Sequence, residues 1–316
     1  MGIEPIYNSS AETVIRDDLG KINVNWKAFK KFIQEANYRG CYGSNIFSCA
    51  LEYGHCLLDR DLSEIKGLSK CKQATVVKSL SALAKFLGCY EEYLKLIKNY
   101  GLSWTGRSAD DLIIDRLNKT KDPENIFQWI KDVKEACPMY SVFMDYLSTT
   151  GLRLSECIHS YNLIVELTKE GTLAEKYYNV KTGLLEHFRF KEIFIRKCKK
   201  AFLSYVPLEL LELIGKQEPI NENHLKSRAL ERKHIPQRFC DVRENHASFT
   251  TEWLRPEEID LFHGRVSGSV FKVHYYNPNI VADLRLRAAQ AVQAILLKVN
   301  SDLVMKKEQN KGGEKP

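Results

Sequence analysis

The spacing of apolar residues constrains the fold of this chain more than any other feature of its sequence. Between residues 26 and 104, apolar side chains recur at steps of three and four, which predicts a series of short amphipathic helices. The same period returns from residue 109 and again from residue 207. In residues 183–207 the pattern changes to alternation and short β-rich runs around a basic turn. The pattern therefore predicts a mainly α protein with a small antiparallel β-sheet, an α+β fold.

Glycine, serine and proline mark the expected helix boundaries. Four or five helices are expected in the first hundred residues, with breaks at residues 40–44, Gly54, Gly67 and Gly88. Further along, Ser108 is a good N-cap and proline stands at predicted helix starts. The later predicted helices span residues 109–119, 123–136, 139–149, 153–165, 207–215, 221–233, 237–253, 256–263 and 280–300.

A length of 316 residues favours two domains over one. The turn-rich residues 102–111 are typical of a linker, and the last residues are charged and poor in apolar side chains. We predict a flexible arm, a helical domain with lysines interleaved along its helices, a second domain and a disordered tail. These segments span residues 1–20, 21–105, 106–300 and 301–316.

Composition excludes several classes of protein. No apolar run approaches the ~18 residues of a membrane helix, and no signal-like apolar core begins the chain, which favours a cytoplasmic location. The nine cysteines contain no C-x-x-C pair, so neither a zinc site nor a disulfide framework is predicted. A net charge of +7, with basic clusters at residues 189–200 and 226–243, fits a nucleic-acid partner.

Two separated stretches carry residues that suit a phosphodiester. Residues 149–156, Thr-Thr-Gly-Leu-Arg-Leu-Ser-Glu, place an arginine just after a glycine turn at a helix start. Residues 236–278 carry Arg243, His263 and Arg265, followed by two adjacent tyrosines. In this order the two stretches resemble the arginine motifs and nucleophile of tyrosine recombinases, the lambda-integrase type of site-specific DNA recombinase. Within that family the resemblance is closest to integrases of archaeal spindle-shaped viruses and plasmids.

The resemblance implies a nucleophile and a general acid. Tyr275 is the expected nucleophile and Tyr276 the alternative, because His274-Tyr275 matches the His-Tyr pair of the archaeal viral enzymes. A tyrosine with a free pKa of about 10 needs nearby cations to stabilise its phenolate. The family places its catalytic lysine in a β-hairpin, and Lys199 is the expected general acid. Lys197 and Lys200 are near alternatives, since one sequence does not fix the hairpin register.

The resemblance also implies that Arg153, Arg243 and Arg265 bind the scissile phosphate. Arg265 stands where most of the family has a histidine, as in the Gln-Gly-Arg form of the archaeal viral integrases, and His263 is the alternative. A second departure is Cys240, which replaces the usual His or Lys of the His-x-x-Arg box. A thiol carries no positive charge, so either a neighbour such as Arg238 supplies it or that contribution is lost.

The function implied is cleavage and rejoining of double-stranded DNA through a 3′-phosphotyrosyl intermediate, integrating or excising a mobile element. No cofactor and no metal are expected, and the setting is the cytoplasm of a prokaryote, acting on a host chromosome. A homo-tetramer on DNA is expected through the C-terminal helix at residues 280–300, which could equally close the core of its own subunit.

The alternatives are a type IB topoisomerase-like nicking and closing enzyme and a catalytically inactive DNA-binding relative. The opening Met-Gly-Ile-Glu-Pro resembles a peptide of archaeal viral integrases and leaves open a fragment of a longer protein.

Overall fold

The fold is seen in a computed structural model of the chain. It describes residues 14–16, 22–36, 38, 40–106, 108–118, 123–196, 199–265, 274, 277 and 281–303. The chain forms two compact units, Met1–Thr120 and Lys121–Pro316. Each unit has its own hydrophobic core. The described residues are mainly helical, with a small three-stranded antiparallel sheet in the second unit, which confirms the predicted α+β class.

The first unit is a helical bundle with a two-stranded antiparallel ribbon before it. The ribbon pairs Val14 with Val24, so part of the segment expected to be a flexible arm is a strand. Ser108 caps the last helix through its hydroxyl, which accepts from the Asp111 N–H at 3.0 Å, as predicted. That helix lies in the first unit. The elements are β1 Val14–Arg16, β2 Ile22–Val24, α1 Trp26–Glu35, α2 Gly40–Leu58, α3 Ser63–Lys66, α4 Lys70–Phe86, α5 Tyr90–Tyr100 and α6 Ala109–Asn118.

Helix α2 passes through two positions where the sequence predicts breaks. A Cβ atom on Gly43 would lie 2.2 Å from the Tyr38 carbonyl oxygen, and one on Gly54 would lie 3.0 Å from the Trp26 ring. Both glycines therefore allow a neighbour to approach the helix closely, and tertiary packing offsets their low helix propensity. The predicted breaks at residues 40–44 and at Gly54 are wrong for this reason.

The second unit combines several helices with the small sheet. Its helices are α7 Pro123–Ala136, α8 Ser141–Thr150, α9 Leu154–Lys169, α10 Leu173–Lys176, α11 Lys191–Phe194, α12 Leu208–Gly215, α13 Phe239–Phe249, α14 Pro256–Phe262 and α15 Leu284–Lys298. Short 3₁₀ turns lie at Pro138–Tyr140, His187–Arg189, Glu231–Lys233 and Thr250–Glu252, and a π-helical segment at His224–Leu230. The strands are β3 Tyr178–Asn179, β4 Leu184–Glu186 and β5 Leu203–Tyr205, in the order β3-β4-β5. Among the described residues no helix is long and apolar enough to cross a bilayer.

The sheet is shorter than the sequence predicts. The apolar alternation at residues 188–195 forms a 3₁₀ turn and the single-turn helix α11 instead of a strand. Phe190 and Phe194 lie four residues apart and therefore on one side of that turn, where Phe194 is fully buried and Phe190 packs against the core. A single antiparallel bridge between Ile195 and Lys200 closes a hairpin over the basic turn.

Helix α15 closes the core of its own unit, one of the two arrangements expected. Its buried positions repeat at three- and four-residue steps, and a buried ion pair anchors the segment that follows it. Lys134 Nζ lies 2.5 Å from Asp145 Oδ1 and donates to the Val299 carbonyl at 3.0 Å. The other carboxylate oxygen of Asp145 accepts from the Ser301 hydroxyl at 2.7 Å.

Loss of this buried lysine is expected to destabilise the second unit strongly. In Lys134→Met the Asp145 carboxyl, whose pKa burial already raises, loses the cation that opposes this shift. Breaking a buried pair in this way typically costs about 3–5 kcal/mol of unfolding free energy. Urea denaturation measures the loss, with Lys298→Met as the control, since that lysine forms an exposed pair with Glu124. Equal stabilities of the two variants would contradict the assignment.

Candidate active site

Arg153 stands where helix α8 turns into helix α9. Gly151 ends α8 in the left-handed conformation with φ 57°, and Arg153 takes the N-cap position of α9 instead of a place in its first turn. Its Nη1 donates to both carboxylate oxygens of the buried Glu156, at 2.9 and 3.1 Å, and lies 3.4 Å from the Lys200 carbonyl oxygen. The arginine side chain stays 29% exposed, so a fixed guanidinium faces solvent at a helix start.

Arg243 joins the two sequence stretches that carry the predicted motifs. It projects from α13, and its Nη1 donates to the Gly151 carbonyl at 2.9 Å while Nη2 donates to the His263 carbonyl at 2.6 Å. Burial, together with the neighbouring charges of Arg153 and Arg265, lowers the pKa of Arg243 to about 10. The three arginines predicted from separate parts of the sequence are therefore electrostatic neighbours.

Two buried histidines, His246 and His263, pack against the end of α8 beside Arg243. His246 Nε2 lies 3.1 Å from the Thr149 carbonyl oxygen, and His246 Nδ1 lies 3.0 Å from His263 Nε2. A carbonyl only accepts, so His246 carries its proton on Nε2 and His263 donates from its own Nε2. His263 Nδ1 is then an acceptor, and it has no hydrogen-bond partner among the described residues. A Cβ atom on Gly151 would lie within 2.7 Å of both rings, which explains the glycine.

The basic hairpin packs directly on the loop that carries Arg265. An added Cβ on Gly264 would lie 1.8 Å from the Lys200 carbonyl oxygen, so the two backbones are in contact. Arg196 at the base of the hairpin donates to Glu156 at 3.2 Å. Lys199 is exposed and Lys200 is half-buried, whereas Lys197 lies outside the described residues. The hairpin backbone at Lys200 therefore lies beside Arg153 and the loop that carries Arg265.

Arg265 and His263, the two alternatives for one role, occupy different environments. His263 follows α14 and is fully buried against His246. The Arg265 side chain is 50% exposed, and its Nη1 lies 3.9 Å from the Asp260 carboxylate. Between the two, Gly264 adopts a left-handed φ of 65°. Of the two, Arg265 is exposed to solvent, whereas His263 is buried and its carbonyl oxygen accepts a hydrogen bond from Arg243.

Cys240 lies one helical turn before Arg243 and is exposed. The neighbour considered as a replacement cation, Arg238, donates from Nε to Asp241 at 3.1 Å. Its charge is therefore balanced by that carboxylate. Arg238 is therefore not an unpaired cation that could replace the positive charge missing at Cys240.

The expected nucleophile Tyr275 and its alternative Tyr276 lie outside the described residues. His274, beside them, is helical and exposed.

The sequence prediction assigns no chemical role to Glu156, Arg196 or His246, which the structure places among the site contacts. Glu156, three residues after Arg153 at the start of a helix, was the one of these that local spacing could have identified.

Comparison with known proteins adds no relative. No protein-family model, curated protein or solved structure matches the chain. The site is therefore interpreted from its geometry: exposed and half-buried cations converge from α9, α13, the hairpin and the loop after α14. The carboxylate of Glu156 holds two of these cations, Arg153 and Arg196. Such a surface can bind an anion and stabilise negative charge that develops on it.

The histidines make stability depend on pH. Burial lowers the pKa of His187 to about 3 and that of His246 to about 4, and it holds the pKa of His263 well below its usual range. Unfolded histidine titrates near 6.5, so below that pH the unfolded chain binds more protons than the folded one. The contribution of these neutral histidines to the unfolding free energy is therefore fully present above pH 6.5, and it falls as the pH decreases below that value.

We expect the unfolding free energy of the second unit to drop on going from pH 7 to pH 5, at most by about 1.4 kcal/mol per pH unit for each histidine. Urea denaturation at several pH values measures this slope. The His246→Gln variant keeps one donor and one acceptor, and it should lose part of the slope. An unfolding free energy that does not change between pH 7 and pH 5 would contradict the assignment of neutral, buried histidine rings.

Proposed function

We propose that this chain is a DNA strand transferase of the tyrosine-recombinase type, which cleaves and rejoins DNA through a 3′-phosphotyrosyl intermediate. The observation that carries the proposal is the convergence of Arg153, Arg243 and Arg265. These arginines come from segments up to 112 residues apart in the sequence, and they follow the order of the arginine motifs of tyrosine recombinases. A purely structural arginine cluster would not need to follow the order of a recombinase.

The cluster suits a phosphodiester better than a carboxylate or a single point charge. Guanidinium groups present planar pairs of N–H donors that match two non-bridging oxygens of a phosphate. Arg243 is held by two backbone carbonyls and Arg153 by Glu156, so their orientation is set before a ligand arrives. Preorganised donors of this kind contribute on the order of 3–4 kcal/mol each to a developing oxyanion.

In the proposed step, Tyr275 Oη gives its proton to solvent water and attacks the scissile phosphorus in line. A bond forms between Oη and phosphorus, and the bond from phosphorus to the 5′-oxygen breaks. Lys199 gives a proton to that leaving oxygen, which becomes a 5′-hydroxyl. Attack by a 5′-hydroxyl of the partner strand reverses the step. One phosphoester is exchanged for another, so the step consumes no nucleotide cofactor.

A site-specific recombinase that moves a mobile element fits this chemistry, with double-stranded DNA as the partner. Helix α15 buries one face in its own unit but leaves Leu286 64% and Leu297 47% exposed. These side chains are candidates for contacts between the subunits of a DNA-bound tetramer. We propose the cytoplasm of a prokaryotic host as its place of action.

A second candidate function is a DNA-binding relative that does not cleave. Cys240 is exposed where the family has a cation, and Arg238 is engaged by Asp241. In that case the arginines would hold DNA without sufficient stabilisation of the transition state. The experiment that decides between the two must therefore detect the covalent bond itself.

Covalent capture tests the proposal without knowledge of the target sequence. The protein is incubated with sheared DNA of the replicon that encodes it, then denatured, and the DNA that remains attached to protein is sequenced from its ends. We expect one recurring cleavage site, with a free 5′-hydroxyl on the released strand. If the protein shifts DNA in a gel but never forms a covalent adduct, the recombinase proposal is wrong and the inactive DNA-binding relative is favoured. Cleavage at many dispersed sites would favour a topoisomerase.

A further inference from the structure

A histidine, a cysteine and a glutamate meet at one corner of the first unit, far in sequence from the arginine cluster. His55 and Cys56 lie in the last turn of α2, and Glu64 lies in α3 after a four-residue loop. We propose that these three side chains form a Zn²⁺ site. This proposal is independent of the proposed function.

The donor atoms form a triangle of suitable size. His55 Nε2 lies 3.0 Å from Glu64 Oε2, Cys56 Sγ lies 3.4 Å from His55 Nε2, and Cys56 Sγ lies 3.7 Å from Glu64 Oε2. Tetrahedral zinc at its usual bond lengths sets nitrogen and oxygen about 3.3 Å apart and places sulfur about 3.6 Å from either. The three donors therefore already stand near the corners of one face of a zinc tetrahedron.

The loop between the ligands is held in place without a metal. The Asp61 carboxylate accepts from the Ser63 N–H at 2.9 Å, from the Ser63 hydroxyl at 2.5 Å and from the Tyr100 hydroxyl at 3.0 Å. Leu62 and Ile65, on either side of that serine and of Glu64, are fully buried. Little ordering would be needed when an ion binds, which favours affinity.

The mixture of donors selects the ion. Thiolate, imidazole and carboxylate together suit a borderline cation such as Zn²⁺, whereas Mg²⁺ and Ca²⁺ take oxygen ligands. On binding, the Cys56 thiol proton is released and the His55 ring carries its N–H on Nδ1. The side chains of His55 and Glu64 are 55% and 56% exposed, so the fourth position faces solvent and would take water. No spacing rule predicts this site, because it lacks the C-x-x-C pair of familiar zinc motifs.

Cobalt substitution tests the site on the full chain. Co²⁺ is titrated into the metal-free protein, and Zn²⁺ is then added in competition. We expect one equivalent of Co²⁺ with a thiolate-to-cobalt charge-transfer band, displaced by Zn²⁺. The band should be absent in Cys56→Ser, and affinity should fall at least about tenfold in His55→Gln and in Glu64→Gln.

Matched controls separate this site from surface binding. Cys71→Ser removes an exposed cysteine of the same unit, and Glu52→Gln removes an exposed carboxylate of α2, so both should bind as the unmodified chain does. If Cys56→Ser fails to fold, the half-exposed His55 and Glu64 variants carry the test. A band that survives in Cys56→Ser, an unchanged affinity in His55→Gln and Glu64→Gln, or no saturable binding at all would overturn the proposal.

Discussion

Replacing Arg243 by lysine is expected to slow formation of the covalent DNA adduct by a factor of about 10²–10³. The planar guanidinium bridges the Gly151 and His263 carbonyls, at 2.9 and 2.6 Å, and these two contacts engage two of its five N–H donors. Lysine retains the charge but presents a single ammonium that does not span both carbonyls and a phosphate. Single-turnover kinetics on the captured cleavage site measure the rate.

Arg232→Lys is the matched control for this prediction, because Arg232 is an exposed arginine of the same unit. DNA affinity and thermal unfolding of both variants are measured alongside. A rate for Arg243→Lys within a few-fold of the unmodified chain would show that the arginine supports the fold and not the chemistry. A rate loss that only tracks a loss of stability would lead to the same conclusion.

The second large effect is expected from Gly264→Ala. The new methyl group would meet the Lys200 carbonyl oxygen at 1.8 Å, and that oxygen belongs to the backbone, so the hairpin must move. The left-handed φ of 65° adds about 1–2 kcal/mol of backbone strain, and forced repacking typically adds about 1–3 kcal/mol. We expect destabilisation of the second unit together with loss of adduct formation, since Lys199 and Arg265 lie on the two sides of this contact.

Gly171→Ala separates the strain from the collision. Gly171 lies in the same unit with a left-handed φ of 72°, but an added Cβ there meets no atom within 4 Å. Gly171→Ala should therefore be destabilised only by the added backbone strain, and it should keep its cleavage rate. Similar stability losses in Gly264→Ala and Gly171→Ala, measured by urea denaturation, would contradict the close packing of hairpin and loop.

The parts of the fold that were predicted well depend on local signals. Proline at a first helical position gives α7 its predicted bounds, Pro123–Ala136. Gly151 ends one helix and Arg153 starts the next, as the Thr-Gly-Leu-Arg stretch implied. In both cases a few neighbouring residues determine the backbone, so one sequence is enough.

The predictions that failed depend on partners distant in the sequence. Gly54 was predicted to break a helix, but it lies inside α2 because the Trp26 ring packs against it. Residues 188–195 were predicted to form a strand, but they form turns that bury Phe194 in the core. The roles of Arg153, Arg243, Arg265 and Lys199 stay predictions: the resemblance supplies the chemistry, and the structure supplies the proximity of the three arginines.

The most direct test of the central claim is to identify the residue that becomes attached to DNA. A nicked suicide substrate built on the captured site traps the adduct, which is then digested and analysed by mass spectrometry. We expect a nucleotide linked through its 3′-phosphate to Tyr275, with the adduct lost in Tyr275→Phe and retained in Tyr276→Phe. An adduct on another residue, or none on a substrate that the protein demonstrably binds, would contradict the account.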